Sequence, residues 1–277
     1  MYNAKIETNA GAVIRLGYKH GVIFDISPLS GVDVTLATSQ GYQQIGETVE
    51  SQSARGVSRT IRGTFLGDAA ETKAREMLRA LPVFTTGKLV FDDRYFCNVY
   101  VQKTPYVIHS PSERKYTFSL MLYCETPYWL DVKESAYLLG GYTPAFAFPI
   151  RYDLHAFGVK NASAFTNCYN GGAVDVPFVA KFTSSAKSSG IGLVNVQTLE
   201  ELKLDVTLTM GDEVVIKREN SRLVVELNGE DAFSIFDEDS NLYYIHPGDN
   251  VLRATADSGL EALQVSIAYN AAETGVL

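Results

Sequence analysis

Short runs of alternating or β-branched residues, separated by Gly, Asp and Asn, recur along almost the whole chain. A chain patterned this way buries its apolar side chains by pairing strands, because successive strand residues point to opposite faces. The runs fall at 22–26, 58–65, 88–91, 96–102 and 115–123 in the first half. In the second half they fall at 176–183, 202–210, 213–217, 223–227, 242–245, 251–255 and 262–269. Only one segment reads clearly as a helix in the first half. Ala70, Ala74, Met77, Leu78 and Leu81 recur at three- and four-residue spacing, which predicts a helix over 69–81. Asp68 is placed to cap it, Glu71 to complete a capping-box-like pair, and Pro82 to end it.

The strand run at 88–102 reads as a hairpin, with Asp92, Asp93 and Arg94 turning the chain between Leu89-Val90-Phe91 and Tyr95-Phe96. Its length suggests that it projects. From Gly140 to Gly172 glycines and prolines cut regular structure short, while aromatics show that the segment packs. At 277 residues the chain exceeds the roughly 100–200 expected of one domain. The expected fold is therefore mainly β in two domains, residues 1–139 and 140–277, the second a β-sandwich whose turns are supplied by Gly, Asn and Asp.

Charge divides the same way. Residues 1–130 hold 14 Lys/Arg against 12 Asp/Glu, and residues 131–277 hold 10 against 20. An acidic second half argues against nucleic acid as its ligand, since counterion release needs a concentrated basic surface. No run approaches the roughly 18 apolar residues that cross a bilayer, and the first residues lack the pattern of a secretory leader, so neither membrane insertion nor export by that route is expected. Cys97, Cys124 and Cys168 are too widely spaced for redox or zinc motifs and read as small apolar residues of a reduced protein.

Each candidate for chemistry has a plainer reading beside it. Trp129, the only tryptophan, could stack on a sugar, but beside Pro127 and Tyr128 it reads as packing. Asp237, Asp239 and Asn241 imitate the opening of a calcium loop, yet Leu242 and Gly248 stand where that loop needs Gly and Glu. His20, His109, His155 and His246 are scattered. Ser184 and Lys187 fit S-x-x-K without its helix or partner motifs, and Gly87-Lys88 lacks the upstream glycine of a phosphate loop. No catalytic, cofactor-binding or metal-ligating residue is assigned, and no cofactor is expected. Arg55, Arg59 and Arg62 form the most concentrated basic group, with Arg59 and Arg62 on opposite strand faces.

The order and spacing of several short motifs resemble the siphovirus-type tail component family. In the first half these are Arg59-Thr60-Ile61-Arg62-Gly63-Thr64-Phe65, the helix with Ala74, Arg75 and Leu78, and Gly87-Lys88-Leu89-Val90-Phe91-Asp92-Asp93-Arg94-Tyr95. The close of the domain follows at Phe118 to Cys124 and Thr126-Pro127-Tyr128-Trp129. In the second half they are Phe148-Pro149, Phe157-Gly158, Asn170-Gly171-Gly172 with Pro177, Leu208-Thr209-Met210-Gly211-Asp212, and Tyr244-Ile245-His246-Pro247-Gly248-Asp249-Asn250.

The resemblance implies a structural, non-enzymatic distal tail protein. Its N-terminal belt domain would close a hexameric ring, and its C-terminal galectin-like sandwich would face outward. Implied partners are further copies of the chain, the tail tube protein, the tail-tip hub or tail-associated lysin, the tape measure protein and a receptor-binding protein. The implied place is the virion tail tip, reached by assembly in the host cytoplasm. Subunit contacts are then expected at Arg55, Arg59, Arg62, Tyr95 and Phe96. A carbohydrate-binding adhesion module and a tail-associated hydrolase stay open as alternatives.

Overall fold

The computed structural model describes residues 2–110, 115–140, 142–144, 158–160, 164–219 and 222–276. His155 and most of the expected junction, including Phe148-Pro149 and Phe157, lie outside the described residues. Two compact units emerge, Met1–Lys133 together with Ala272–Leu277, and Glu134–Ala271. The fold is mainly β, as the alternation predicts.

The first unit contains β1 (Ala4–Thr8), β2 (Val13–Leu16), β3 (Val22–Ser27), β4 (Val34–Ser39), β5 (Thr48–Ala54) and β6 (Val57–Phe65). It continues with α1 (Ala70–Ala80), β7 (Thr86–Phe91), β8 (Tyr95–Ser110), β9 (Lys115–Cys124) and the start of β10 (Trp129–Gly140). One set of strands runs β10-β8-β7-β1-β2, a second runs β3-β6-β9-β8, and all these pairings are antiparallel. Strand β8 can serve both because it is 16 residues long and irregular. It pairs with β7 up to Tyr100, and its register against β9 then shifts between Val101 and Tyr106. Such bulges bend a strand and increase its twist.

Between the strands lies a core that includes Ile6, Leu16, Ile61, Phe65, Leu89, Phe118, Leu122 and Trp129, each at most 2% exposed. The helix covers it with Ala70, Ala74 and Met77, and Leu81 follows just past its end. Leu78 does not join them and is 46% exposed. Nor does Asp68 cap the helix: Ala69 is the N-cap and makes no side-chain bond. Glu71 instead accepts two bonds from the Arg75 guanidinium one turn on, at 3.0 and 2.7 Å. That pairing replaces the capping box.

The hairpin at 88–102 does not project. Its turn residues Asp92 and Asp93 both have positive φ, as a tight two-strand turn requires. Its strands, however, are embedded in the sheet, with β7 held between β1 and β8 and Leu89, Val90, Phe91, Cys97 and Val99 buried. The hairpin that does stand free is β4–β5, which among the described residues pairs only with itself and is exposed at every position. The last residues of the chain complete this unit: Val276 is buried and donates its N–H to the Leu29 carbonyl at 3.2 Å.

The second unit contains the end of β10, β11 (Tyr142–Pro144), β12 (Gly158–Lys160), β13 (Phe165–Asn170), β14 (Val179–Ser184) and β15 (Ser188–Asn195). It continues with β16 (Glu201–Leu208), β17 (Glu213–Glu219), β18 (Arg222–Leu227), β19 (Glu230–Asp231), β20 (Gly248–Ser258) and all but the last two residues of β21 (Leu263–Glu273). Strands run β19-β18-β17-β14-β21-β10 in one sheet and β13-β20-β15-β16 in another, with β11–β12 as a separate ribbon. Period-two burial is clear in both sheets: Ala180 and Phe182 alternate with exposed or half-exposed neighbours in β14, as do Leu202 and Leu204 in β16. Gly140 ends β10 in a left-handed conformation (φ 65°), and a Cβ there would stand 2.5 Å from the Leu263 carbonyl. Only glycine fits that approach.

Candidate assembly surface

The five residues expected at subunit contacts occupy different environments. Arg59 points inward from β6 and is 1% exposed. Its guanidinium donates to the Pro28 carbonyl at 2.5 Å and the Pro127 carbonyl at 2.7 Å, and lies 4.2 Å from the centroid of the Trp129 ring. Trp129 in turn donates from Nε1 to the Leu29 carbonyl at 2.9 Å. The cluster ties two chain segments, 28–29 and 127–129, to one strand, and because Arg59 is buried it offers no donor to a neighbour. Its role is internal.

Arg62, three residues on, is exposed on the other face of β6, directly across from Asp25 of β3 in register. Arg55 is exposed at the base of β4–β5, where its N–H reaches the Asp33 carbonyl at 3.5 Å. Tyr95 and Phe96 are half-buried in the sheet, paired with Asp131 and Leu130 of β10 on one side and with Phe91 and Val90 on the other. Cations flank both rings: Arg94 lies 4.8 Å from the Tyr95 centroid and Lys88 4.8 Å from that of Phe96. These two aromatics are partly occupied by their own chain, and Arg55 and Arg62 remain open to a partner.

The candidate side chains for chemistry do not converge. Ser184 is buried with its Oγ 2.7 Å from Ser188 Oγ and 3.2 Å from the Ala262 carbonyl, while Lys187 is exposed. Asp237 uses Oδ1 to accept the N–H of Asp239 at 2.9 Å, the bond of an acidic turn. His109 stacks on Tyr116 at 4.3 Å, and His246 Nδ1 lies 2.9 Å from Asp175. Among the described residues no group of three or more His, Cys, Asp or Glu could hold a metal ion. Burial pushes the Cys168 thiol up to about 12, and Cys97, buried beside Cys124 with 3.5 Å between the sulfurs, is also raised. Neither offers a thiolate near neutral pH.

Two further open features of the first unit are a free-standing arm and a groove, and alternation did not reveal either. One is the β4–β5 arm. In its register Val34 faces Ala54 and Leu36 faces Gln52, and a bulge at Glu50 then sets Val49 opposite Thr38. Cross-strand partners share a face, so Val34, Leu36, Thr38, Val49, Gln52 and Ala54 line one side, opposite Thr35, Ala37, Ser51 and Ser53. Val34, Leu36 and Val49 are 53%, 52% and 54% exposed, and the tip residues Tyr42 and Ile45 are 95% and 102% exposed.

The other surface is a groove of about 550 Å³ between β2 and α1. Ile14, Phe65 and Met77 contribute apolar side chains to it, Val13 and Ala80 its walls, and Arg15, His20, Lys73, Glu76 and Arg79 its polar rim. Lys73 is held there by donating to the His20 carbonyl at 2.5 Å.

Residues 171–272 match the family model described as siphovirus-type tail component, C-terminal domain, which bears out the resemblance read from the sequence. Among solved structures the chain is similar to the Dit (gp 19.1) protein of phage SPP1, described as a paradigm of the hub adsorption apparatus in phages infecting Gram-positive hosts. The alignment covers 98% of this chain and 99% of that one at 13% identity, with a TM-score of 0.67, so the two share a fold. A chain of the activated baseplate of phage P2 aligns over 96% of this chain and 97% of its own length at 10% identity and a TM-score of 0.47. No curated protein matches the chain.

Proposed function

We propose that this chain is a structural distal tail protein of a phage or prophage, an adaptor that joins the tail tube to the tail tip or baseplate and docks host-recognition proteins. The observation that carries this reading is the match of residues 171–272 to the tail component C-terminal domain, joined to a fold shared with the SPP1 hub protein along nearly the full length of both. In this reading the N-terminal part, about residues 1–139, closes a ring, expected to be hexameric, and the part from 140 onward is peripheral. Further copies, tube, hub or lysin, tape measure and receptor-binding proteins are the partners, at the virion tail tip after assembly in the host cytoplasm. The chemistry is interface burial, not catalysis. Arg55 and Arg62 are the exposed members of the proposed contact set, with Tyr95 and Phe96 contributing their free edges.

Particle images of tails carrying a tagged copy, together with mass measurement of the purified chain, test the proposal. Labels in a closed ring at the distal end of the tube are expected. Labels elsewhere on the particle, or a chain absent from it, would overturn the reading.

A further inference from the structure

We propose that Cys97 and Cys124, beside the buried guanidinium of Arg59, are a peroxide-sensitive thiol pair that closes to a disulfide between β8 and β9. The chemistry stands on side chains of the first unit and does not depend on the tail reading. Cys97 lies on β8 and Cys124 ends β9, 27 residues further on, yet their sulfurs share a hydrogen bond at 3.5 Å. Both are free thiols, and both are buried. A disulfide holds its sulfurs about 2.05 Å apart, so side-chain rotation has to take up a gap of roughly 1.5 Å. No other pair of cysteines in the chain is in contact, because Cys168 belongs to the second unit.

Arg59 supplies the reason for this pair to react. Its Nη1 and Nη2 donate to the Pro28 and Pro127 carbonyls, but its Nε–H is buried with no hydrogen-bond partner. Among the described residues no carboxylate forms an ion pair with it. A buried cation without an anion is costly, and a buried donor without an acceptor adds to that cost. An ionised thiol answers both needs. Cys124 is the thiol that ionises: the hydrogen bond from Cys97 and the charge of Arg59 hold it below the ordinary thiol value, against the opposing effect of burial. The same bond, together with burial, raises Cys97, which keeps its proton. For Cys168 burial is the only influence. Three cysteines of like burial therefore differ in chemistry. The Cys124 thiolate attacks one oxygen of a hydroperoxide, the O–O bond breaks, and the departing hydroxide takes a proton from solvent to become water. Cys97 sulfur then attacks the Cys124 sulfenic acid, the S–O bond breaks, and the second hydroxide leaves as water with the Cys97 proton. Two electrons pass from the sulfurs to the peroxide, which yields one disulfide that staples β8 to β9.

Hydrogen peroxide tests this on the full chain, purified with reductant and then freed of it. The oxidant has to be small, because both thiols are closed to solvent. After unfolding and alkylation, peptide mapping should show Cys97 joined to Cys124, a chain lighter by two hydrogen atoms, and Cys168 alkylated. The rate of disulfide formation should rise with pH to a plateau, with its midpoint below the ordinary thiol value of 9.0. Cys97→Ser keeps a donor but no second sulfur, so oxidation should stop at a Cys124 sulfenic acid that a 1,3-diketone captures once the chain is unfolded. Cys97→Ala also removes the donor and should slow oxidation of Cys124 at neutral pH by about tenfold relative to Cys97→Ser. Trp129 fluorescence reports that each variant is folded. A folded wild-type chain that forms no Cys97–Cys124 disulfide in peroxide would overturn the inference. So would oxidation of Cys168 at the same rate, a midpoint at or above 9.0, or equal rates for the Ser and Ala variants.

Discussion

Replacing Arg59 by Ala should destabilise the first unit by about 3–5 kcal/mol. Arg59 makes two charge-assisted bonds, to the Pro28 and Pro127 carbonyls, and stacks on Trp129 at 4.2 Å. Such bonds contribute roughly 1.5–3 kcal/mol each, and a desolvated cation–π contact about 2. The gross loss is partly offset, because an arginine at 1% exposure had also been stripped of its hydration. Left behind are two carbonyls without donors and a cavity beside the indole.

With a urea m-value of about 2 kcal/mol per M, the unfolding midpoint should fall by about 1.5–2.5 M. The only tryptophan of the chain lies in this cluster, so its fluorescence reports the unit concerned, with circular dichroism as a second probe. Arg59→Lys keeps a charge and a stem but not the fork that reaches two carbonyls, and should fall between Ala and wild type. Arg55→Ala and Arg62→Ala, both at exposed positions, should change stability by no more than about 0.5 kcal/mol. A loss below about 1 kcal/mol for Arg59→Ala would refute the internal role argued for it.

Gly87→Ala should cost about 1–3 kcal/mol in thermal or urea unfolding, because the added Cβ would stand 2.2 Å from the Glu7 carbonyl and 2.9 Å from Thr8 Cα of the paired strand β1; unchanged stability would mean the two strands separate freely. All three cysteines should resist a thiol reagent at pH 8 in the folded chain and react fully in guanidinium, since each is 0% exposed; one thiol reacting at the rate of free cysteine would contradict this. Hydrogen bonds from the Thr209 hydroxyl and N–H and from Asn228 hold the Asp212 carboxyl below its ordinary 3.8. A depressed carboxyl contributes stability that is complete above its unfolded value and is lost as pH falls through its lower folded value. NMR titration should find that low midpoint, and Asp212→Asn should flatten the acid limb of stability; a midpoint at or above 3.8 would show the turn bonds to be absent.

Period-two burial made most of the strands legible. Where one face meets a core, as in β6, β9, β14 and β16, apolar residues must alternate, and that signal needs no partner to be known. The helix was legible for the same reason through Ala70, Ala74 and Met77. Leu78 was misplaced because a three- or four-residue spacing says which residues share a face, not how wide a stripe the neighbouring strands cover. The arm was missed because both of its faces are open: Thr-Val-Glu-Ser-Gln-Ser-Ala carries no period-two stripe.

Tertiary structure decided the rest. Arg59 and Arg62 lie three apart on one strand, and alternation separates their faces, but only the positions of Pro28, Pro127 and Trp129 determine which face is inside. The Asp92-Asp93 turn was readable from residue type, yet whether its hairpin projects depends on β1 and β10, which come from distant parts of the chain. The β2–α1 groove likewise joins residues 12–20 to residues 65–80. Local sequence fixes what an element is and which side of it is apolar, through sterics and side-chain period. What that side meets is set by long-range pairing.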